Sequence, residues 1–95
     1  MIIRSSSDIE MFMKDFNRFA AYDSSKNIYY FVFQDKERGG QLTLMQSENQ
    51  WLYHGLGEGY CDPKETALTV EENQKFVWLH RKAINKSIKD SLITA

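Results

Sequence analysis

Ile28-Tyr29-Tyr30-Phe31-Val32-Phe33 is the stretch that decides the fold of this chain. Six consecutive β-branched or aromatic residues show no helical period, so they read as a strand with apolar side chains on both faces. The run closes on Asp35-Lys36-Glu37-Arg38-Gly39-Gly40, a charged tip whose glycines accept positive φ, as a hairpin requires. Beyond it Leu42 and Leu44 alternate with Gln41, Thr43 and Met45 in a second strand. After Ser47-Glu48-Asn49-Gln50, the stretch Trp51-Leu52-Tyr53-His54-Gly55-Leu56 supplies a third. Short connections make the three an antiparallel meander.

Helical patterns flank the meander. Upstream, Ser7 and Glu10 stand at capping-box spacing before apolar residues at 9, 12, 13, 16, 19 and 20, which share one helical face. The spacing predicts a helix over 8–21, ended by Asp23-Ser24-Ser25-Lys26-Asn27, with Ile2-Ile3-Arg4 as a short edge strand ahead of it. Downstream there are two start signals, Asp62-Pro63-Lys64-Glu65 and Thr69-Val70-Glu71-Glu72. Reading a break between them places the main helix from 70 to about 92, with acids in its first turn and Arg81, Lys82, Lys86 and Lys89 later, as the helix dipole favours. Phe76, Leu79, Ala83 and Ile84 fall on its core arc, Val77 and Ile88 at the margin. The expected fold is α+β, a single domain over 1–95 in the order (β)αβββα, with a three-stranded antiparallel sheet packed by an amino-terminal helix and a longer carboxy-terminal one.

Composition bounds the function. Twelve basic and 13 acidic residues among 95 give a formal charge of -1, and 42% hydrophobic with 26% charged residues is ordinary globular composition. No apolar run approaches the roughly 18 residues of a membrane span, and the amino terminus has no apolar stretch of an export signal. Cys61 is the sole cysteine, which excludes an internal disulfide and a cysteine-rich zinc site and suits a cytoplasmic location. Two histidines and one cysteine without ligand spacing give no reason to expect a metal or any other cofactor. A chain of this size builds one modest core, not a core plus a deep substrate cleft, which argues against an elaborate enzyme.

Three constellations remain. Cys61 with His54 or His80 has the residue types of a thiol nucleophile and its base, but Asp62 adjoins the thiol and opposes thiolate formation. His80 lies on the core arc of its helix, where a buried histidine with a satisfied hydrogen bond is the simpler account. The loop Gly55-Leu56-Gly57-Glu58-Gly59 sits between a strand and a helix, yet Glu58 and Asp62 set the wrong field for phosphate, and a flexible strand exit explains the glycines. The third is a ridge. Lys75, Lys82, Lys86 and Lys89 lie on one side of the main helix, Trp78 borders them off the core arc, and no acid intervenes between residues 76 and 89.

Aromatic content, 14% of the chain, supplies the other surface. Side chains alternate along a strand, so Tyr29, Phe31 and Phe33 point to one face and Ile28, Tyr30 and Val32 to the other. If both helices cover one face, the other set is left in water. These features predict a non-catalytic protein-binding module, of the kind used as a small inhibitor, immunity-type partner or assembly subunit. The contact residues expected are Tyr29, Phe31, Phe33, Trp78, Lys82, Lys86 and Lys89, meeting an acidic protein or a second copy in a homodimer. Nucleic acid is the alternative use of the ridge. A grip on phosphates like that of double-stranded-RNA-binding domains needs lysines at the start of the second helix, where this chain has Lys64 between Asp62 and Glu65. A small thiol enzyme built on Cys61 is the third alternative.

Overall fold

The structure, a computed structural model, describes residues 2–38, 40–48, 50–55 and 66–94, with backbone alone at 91–94. Five antiparallel strands form one sheet in sequential order: β1 (Ala21–Asp23), β2 (Ile28–Asp35), β3 (Gly40–Ser47), β4 (Gln50–Gly55) and β5 (Thr66–Leu68). Helices α1 (Ser6–Lys14) and α2 (Phe16–Phe19) precede the sheet, and α3 (Val70–Leu79) and α4 (Arg81–Thr94) follow it. The class is α+β, but the three-stranded sheet expected from the sequence is corrected to five strands. The central three are the ones the pattern announces. The two added at the edges are three residues each, too short to show a period, and they exist because β2 and β4 offer backbone partners: Ala21 pairs with Tyr30, and Leu68 with Trp51.

The amino-terminal expectations are corrected in three places. The helix begins at Ser6, capped by Ser5, whose hydroxyl accepts from the Asp8 N–H, and it is interrupted at Asp15. It gives way to β1 at Ala21, so the stretch 8–21 is not one helix. The polar run 23–27 is instead the β1–β2 turn, in which the Asp23 carboxylate accepts from the N–H and hydroxyl of Ser25 and Asn27 takes φ 55°. Ile2-Ile3-Arg4 is not a strand. The Asn85 side chain on α4 satisfies both backbone groups of Ile3, accepting its N–H at 2.7 Å and donating to its carbonyl at 3.1 Å, which seats Ile3 in the core.

The helices cover one face of the sheet. Phe31 and Phe33 of β2, Leu42 and Leu44 of β3 and Trp51 of β4 are buried there against Phe12, Phe16, Val77 and Ile84. Ring contacts hold the layers together, with Phe12 edge-on to Phe31 at 5.7 Å and Phe16 edge-on to Trp51 at 5.0 Å. The opposite face carries Ile28, Tyr30 and Val32 on β2, Thr43 and Met45 on β3, and Leu52 and His54 on β4. No described helix lies on it.

Of the two start signals downstream, the later one opens α3: Thr69 and Glu72 form a reciprocal capping box. Asp62-Pro63-Lys64-Glu65 lies outside the described residues. The main helix is two, α3 and α4, joined through His80, and its buried stripe is Asn73, Val77, His80, Ile84 and Ile88. That stripe is rotated from the expected core arc. Val77 and Ile88 are central rather than marginal, and Leu79 points outward.

Candidate functional site

α4 lies along the outer edge of β2, and this placement creates the most featured surface among the described residues. β1 pairs only with Ile28–Tyr30, so residues 31–35 have β3 as their strand partner on one side and helix α4 on the other. Ser87 on α4 donates to the Val32 carbonyl at 3.2 Å, which fixes the helix against the strand edge. Three shallow depressions run on from one another along this seam. One of about 690 Å³ lies on α3 between Glu71, Lys75, Trp78 and Leu79. Leu79 also borders the next, about 320 Å³, which is ringed by Lys36, Arg38, Arg81, Lys82 and Lys86 above Asp35 and Glu37. Gln34, Lys36, Ala83 and Lys86 carry it into the third, about 460 Å³, beside Val32 and Ser87.

Its floor is fixed by a buried pair. His80 joins α3 to α4 and Asp35 ends β2, and the Nδ1 of His80 is 2.8 Å from the Asp35 carboxylate. Both residues are buried, and the Phe33 and Phe76 rings flank the imidazole at 5.6 and 4.6 Å. Burial pushes the Asp35 carboxyl up, but the hydrogen bond and charge of His80, with the Glu37 N–H at 3.2 Å and Arg38 beyond, outweigh it. The net direction is below the ordinary carboxylate value of 3.8, so Asp35 is an anion at neutral pH. Hairpin tip and helix junction are thereby locked together.

Above that floor, Trp78 is 42% and Leu79 51% exposed. Arg81 lies over the indole with its guanidinium carbon 4.0 Å from the ring centroid and donates to the Trp78 carbonyl at 2.9 Å. The arginine thus stiffens an exposed aromatic that would otherwise be a mobile side chain. Arg38 pairs with Glu37 at 3.4 Å in an exposed contact, and neither that pair nor His80 with Asp35 uses Lys36, Lys82 or Lys86, while Asp90 lines the third depression beside Lys36 and Lys86.

The site residues expected from the sequence separate into two groups. Trp78, Lys82, Lys86 and Lys89 are exposed, and all but Lys89 border these depressions. The sheet half is corrected: Phe31 and Phe33 are buried and Tyr29 is half-buried against the core, because all the helices pack on the face these residues share. The set left in water is the alternate one, with Tyr30 38% and Val32 42% exposed. Sequence reading missed Leu79, Arg81, Lys36 and Arg38. Lys36 and Arg38 were visible as a charged hairpin tip, but only the course of α4 along β2 brings that tip to Lys82.

The catalytic alternative gains nothing from the geometry. His54 belongs to the helix-free face and His80 to the helix-covered one, so the two cannot serve one center. Cys61 and Gly57-Glu58-Gly59 lie outside the described residues, while Gly55 ends β4 against Leu42. Among the described residues no group of three His, Cys, Asp or Glu side chains is placed to hold a metal, and no helix is long and apolar enough to cross a membrane. No protein-family model matches this chain, and neither a curated protein nor a solved structure matches it.

Proposed function

We propose that the chain is a non-catalytic protein-binding module that meets an acidic partner through the α3–α4 seam. The observation that carries this reading is the juxtaposition of the stacked, exposed Trp78 and Leu79 with a depression ringed by Lys36, Lys82 and Lys86. Aromatic residues and arginine are the types that dominate binding energy at interfaces, and cations around them select the sign of the partner. The His80–Asp35 lock supports the same reading, because it holds the residues of the surface in place before any partner arrives. A role as a small inhibitor, immunity-type protein or assembly subunit fits such a surface on so small a chain.

The test is affinity capture from native lysate, followed by calorimetry of the purified pair. Lys82→Glu with Lys86→Glu, and separately Trp78→Ala, are each expected to weaken the complex about tenfold or more. A complex that tolerates both sets of changes removes the reading. Retention of the chain on duplex RNA that is lost with Lys82→Glu and Lys86→Glu, and falls steeply with added salt, replaces it with nucleic-acid binding.

A further inference from the structure

The face of the sheet that no described helix covers has features of its own. Among the described residues whose side chains share it, Asp23 is the only Asp, Glu, Lys or Arg, in a chain where 26% of residues are charged. Depletion of charge from the middle of a surface, with charges kept to its rim, is the compositional mark of an interface core. The relief is equally specific. Tyr30 and Val32 rise from β2, 38% and 42% exposed, while their partners across the β2–β3 pair, Met45 and Thr43, are 5% and 9% exposed. A depression of about 310 Å³ opens over Thr43 and Met45, bounded by Tyr30 and Val32 on one side and His54 on the other, with Asp23 and Lys26 bordering it at the β1–β2 turn. A ridge and a hollow therefore stand side by side on one nearly uncharged face.

We infer that this face pairs with the same face of a second copy of the chain, sheet on sheet, with each Tyr30–Val32 ridge seated in the other copy's hollow over Thr43 and Met45. A two-fold axis beside β2 and β3 relates ridge to hollow, as an isologous contact requires. A face without charge has no sign with which to select a charged partner, and a chain of net charge -1 hardly repels its own copy. Area sets the strength. Five strands about 4.8 Å apart, the central three six to eight residues long, present about 450 Å² per copy, so the pair covers about 900 Å², the size of a reversible contact that dissociates in the micromolar range. The helices lie on the opposite side of the sheet, so the dimer leaves the α3–α4 surface of each copy free, and the two readings stand or fall separately.

Sedimentation equilibrium of the intact chain, with amide and methyl NMR over the same dilution series, tests it. From about 5 μM to about 1 mM the expected result is a monomer–dimer equilibrium, in which dilution moves the Tyr30 and Val32 amides and the Met45 methyl and leaves the Trp78 indole in place. In a mixture of labelled and unlabelled chains, an intermolecular Overhauser contact between the Tyr30 ring and the Met45 methyl is expected. Tyr30→Glu is expected to raise the dissociation constant at least about tenfold, with the signal of the buried Trp51 indole unchanged as the sign that the fold is kept. Lys82→Glu with Lys86→Glu is expected to leave the constant as in the parent. If Tyr30→Glu unfolds the chain, the dilution shifts and the intermolecular contact of the parent decide. A monomer at about 1 mM, a dimer that tolerates Tyr30→Glu, or dilution shifts at Trp78 and Leu79 in place of the sheet overturns the inference. So does a monomer whose Tyr30 and Met45 signals move with a captured partner protein, because the face then belongs to that partner.

Discussion

His80 on the α3–α4 junction and Asp35 at the end of β2 are 45 residues apart in sequence and 2.8 Å apart in space, sealed from solvent between the rings of Phe33 and Phe76. Two polar groups in such a place stabilise only as a pair, since either alone would be a buried group without its partner. Their contribution therefore shows as a large loss on single substitution.

Asp35→Ala and His80→Ala are each expected to cost about 3 to 5 kcal/mol, read from urea midpoints at neutral pH. The pH dependence has a definite sign. A carboxyl held below its ordinary 3.8 in the folded state contributes stability that is complete above that value and lost as pH falls through the lower, folded one. Wild-type stability should thus decline through the acid range below about pH 4, and Asp35→Asn should flatten that decline. A variant with the same acid slope as the parent would contradict the assignment.

Phe31 and Val32 are neighbours on β2 that point to opposite faces, one 6% and the other 42% exposed. Phe31→Ala is expected to cost about 3 to 5 kcal/mol, and Val32→Ala about 1 kcal/mol or less. Reversal of that order in thermal melts would mean the strand is flipped.

Those two residues also mark how far the sequence could be read. The run 28–33 announces a strand by its residue types, and alternation divides it correctly into two sets, but which set is covered depends on where the helices dock. That is decided by partners distant in the chain, such as Phe12 against Phe31. Trp78 and the lysines were legible because helical spacing is local. Leu79 was misplaced because the expected arc was centred near Phe76, whereas the buried stripe Asn73, Val77, His80, Ile84 and Ile88 runs on one face centred near Ile84 and leaves Leu79 outside it. The edge strands β1 and β5 are three residues each, too short to show a period in the sequence, although Tyr22 meets Tyr29 across the β1–β2 pair at 4.9 Å and Leu68 packs against the core.

Asn73 is fully buried in α3, and neither Oδ1 nor Nδ2 has a hydrogen-bond partner among the described residues. Leaving a buried amide unsatisfied costs about 1 to 3 kcal/mol. Asn73→Leu is expected to recover about 1 to 2 kcal/mol and raise the melting temperature by several degrees. A lower melting temperature would show that the amide is needed where it stands.

Asn85→Ala removes both hydrogen bonds to the backbone of Ile3. The expected loss is about 1 to 3 kcal/mol, with hydrogen exchange of the Ile3 amide accelerated far more than that of the central strands. Equal acceleration everywhere would mean the clasp acts on global stability alone.

That clasp also sets an order on synthesis. Ile3 leaves the ribosome before the side chain that secures it, which is made 82 positions later. While translation proceeds, the leading segment has no berth, and Ile9, Phe12 and Phe16 wait without Val77 and Ile84 to close over them. Native packing of this domain waits for α4: it is completed once Asn85 has cleared the exit tunnel, and a stall before that point leaves the apolar residues Ile9, Phe12 and Phe16 open to chaperones.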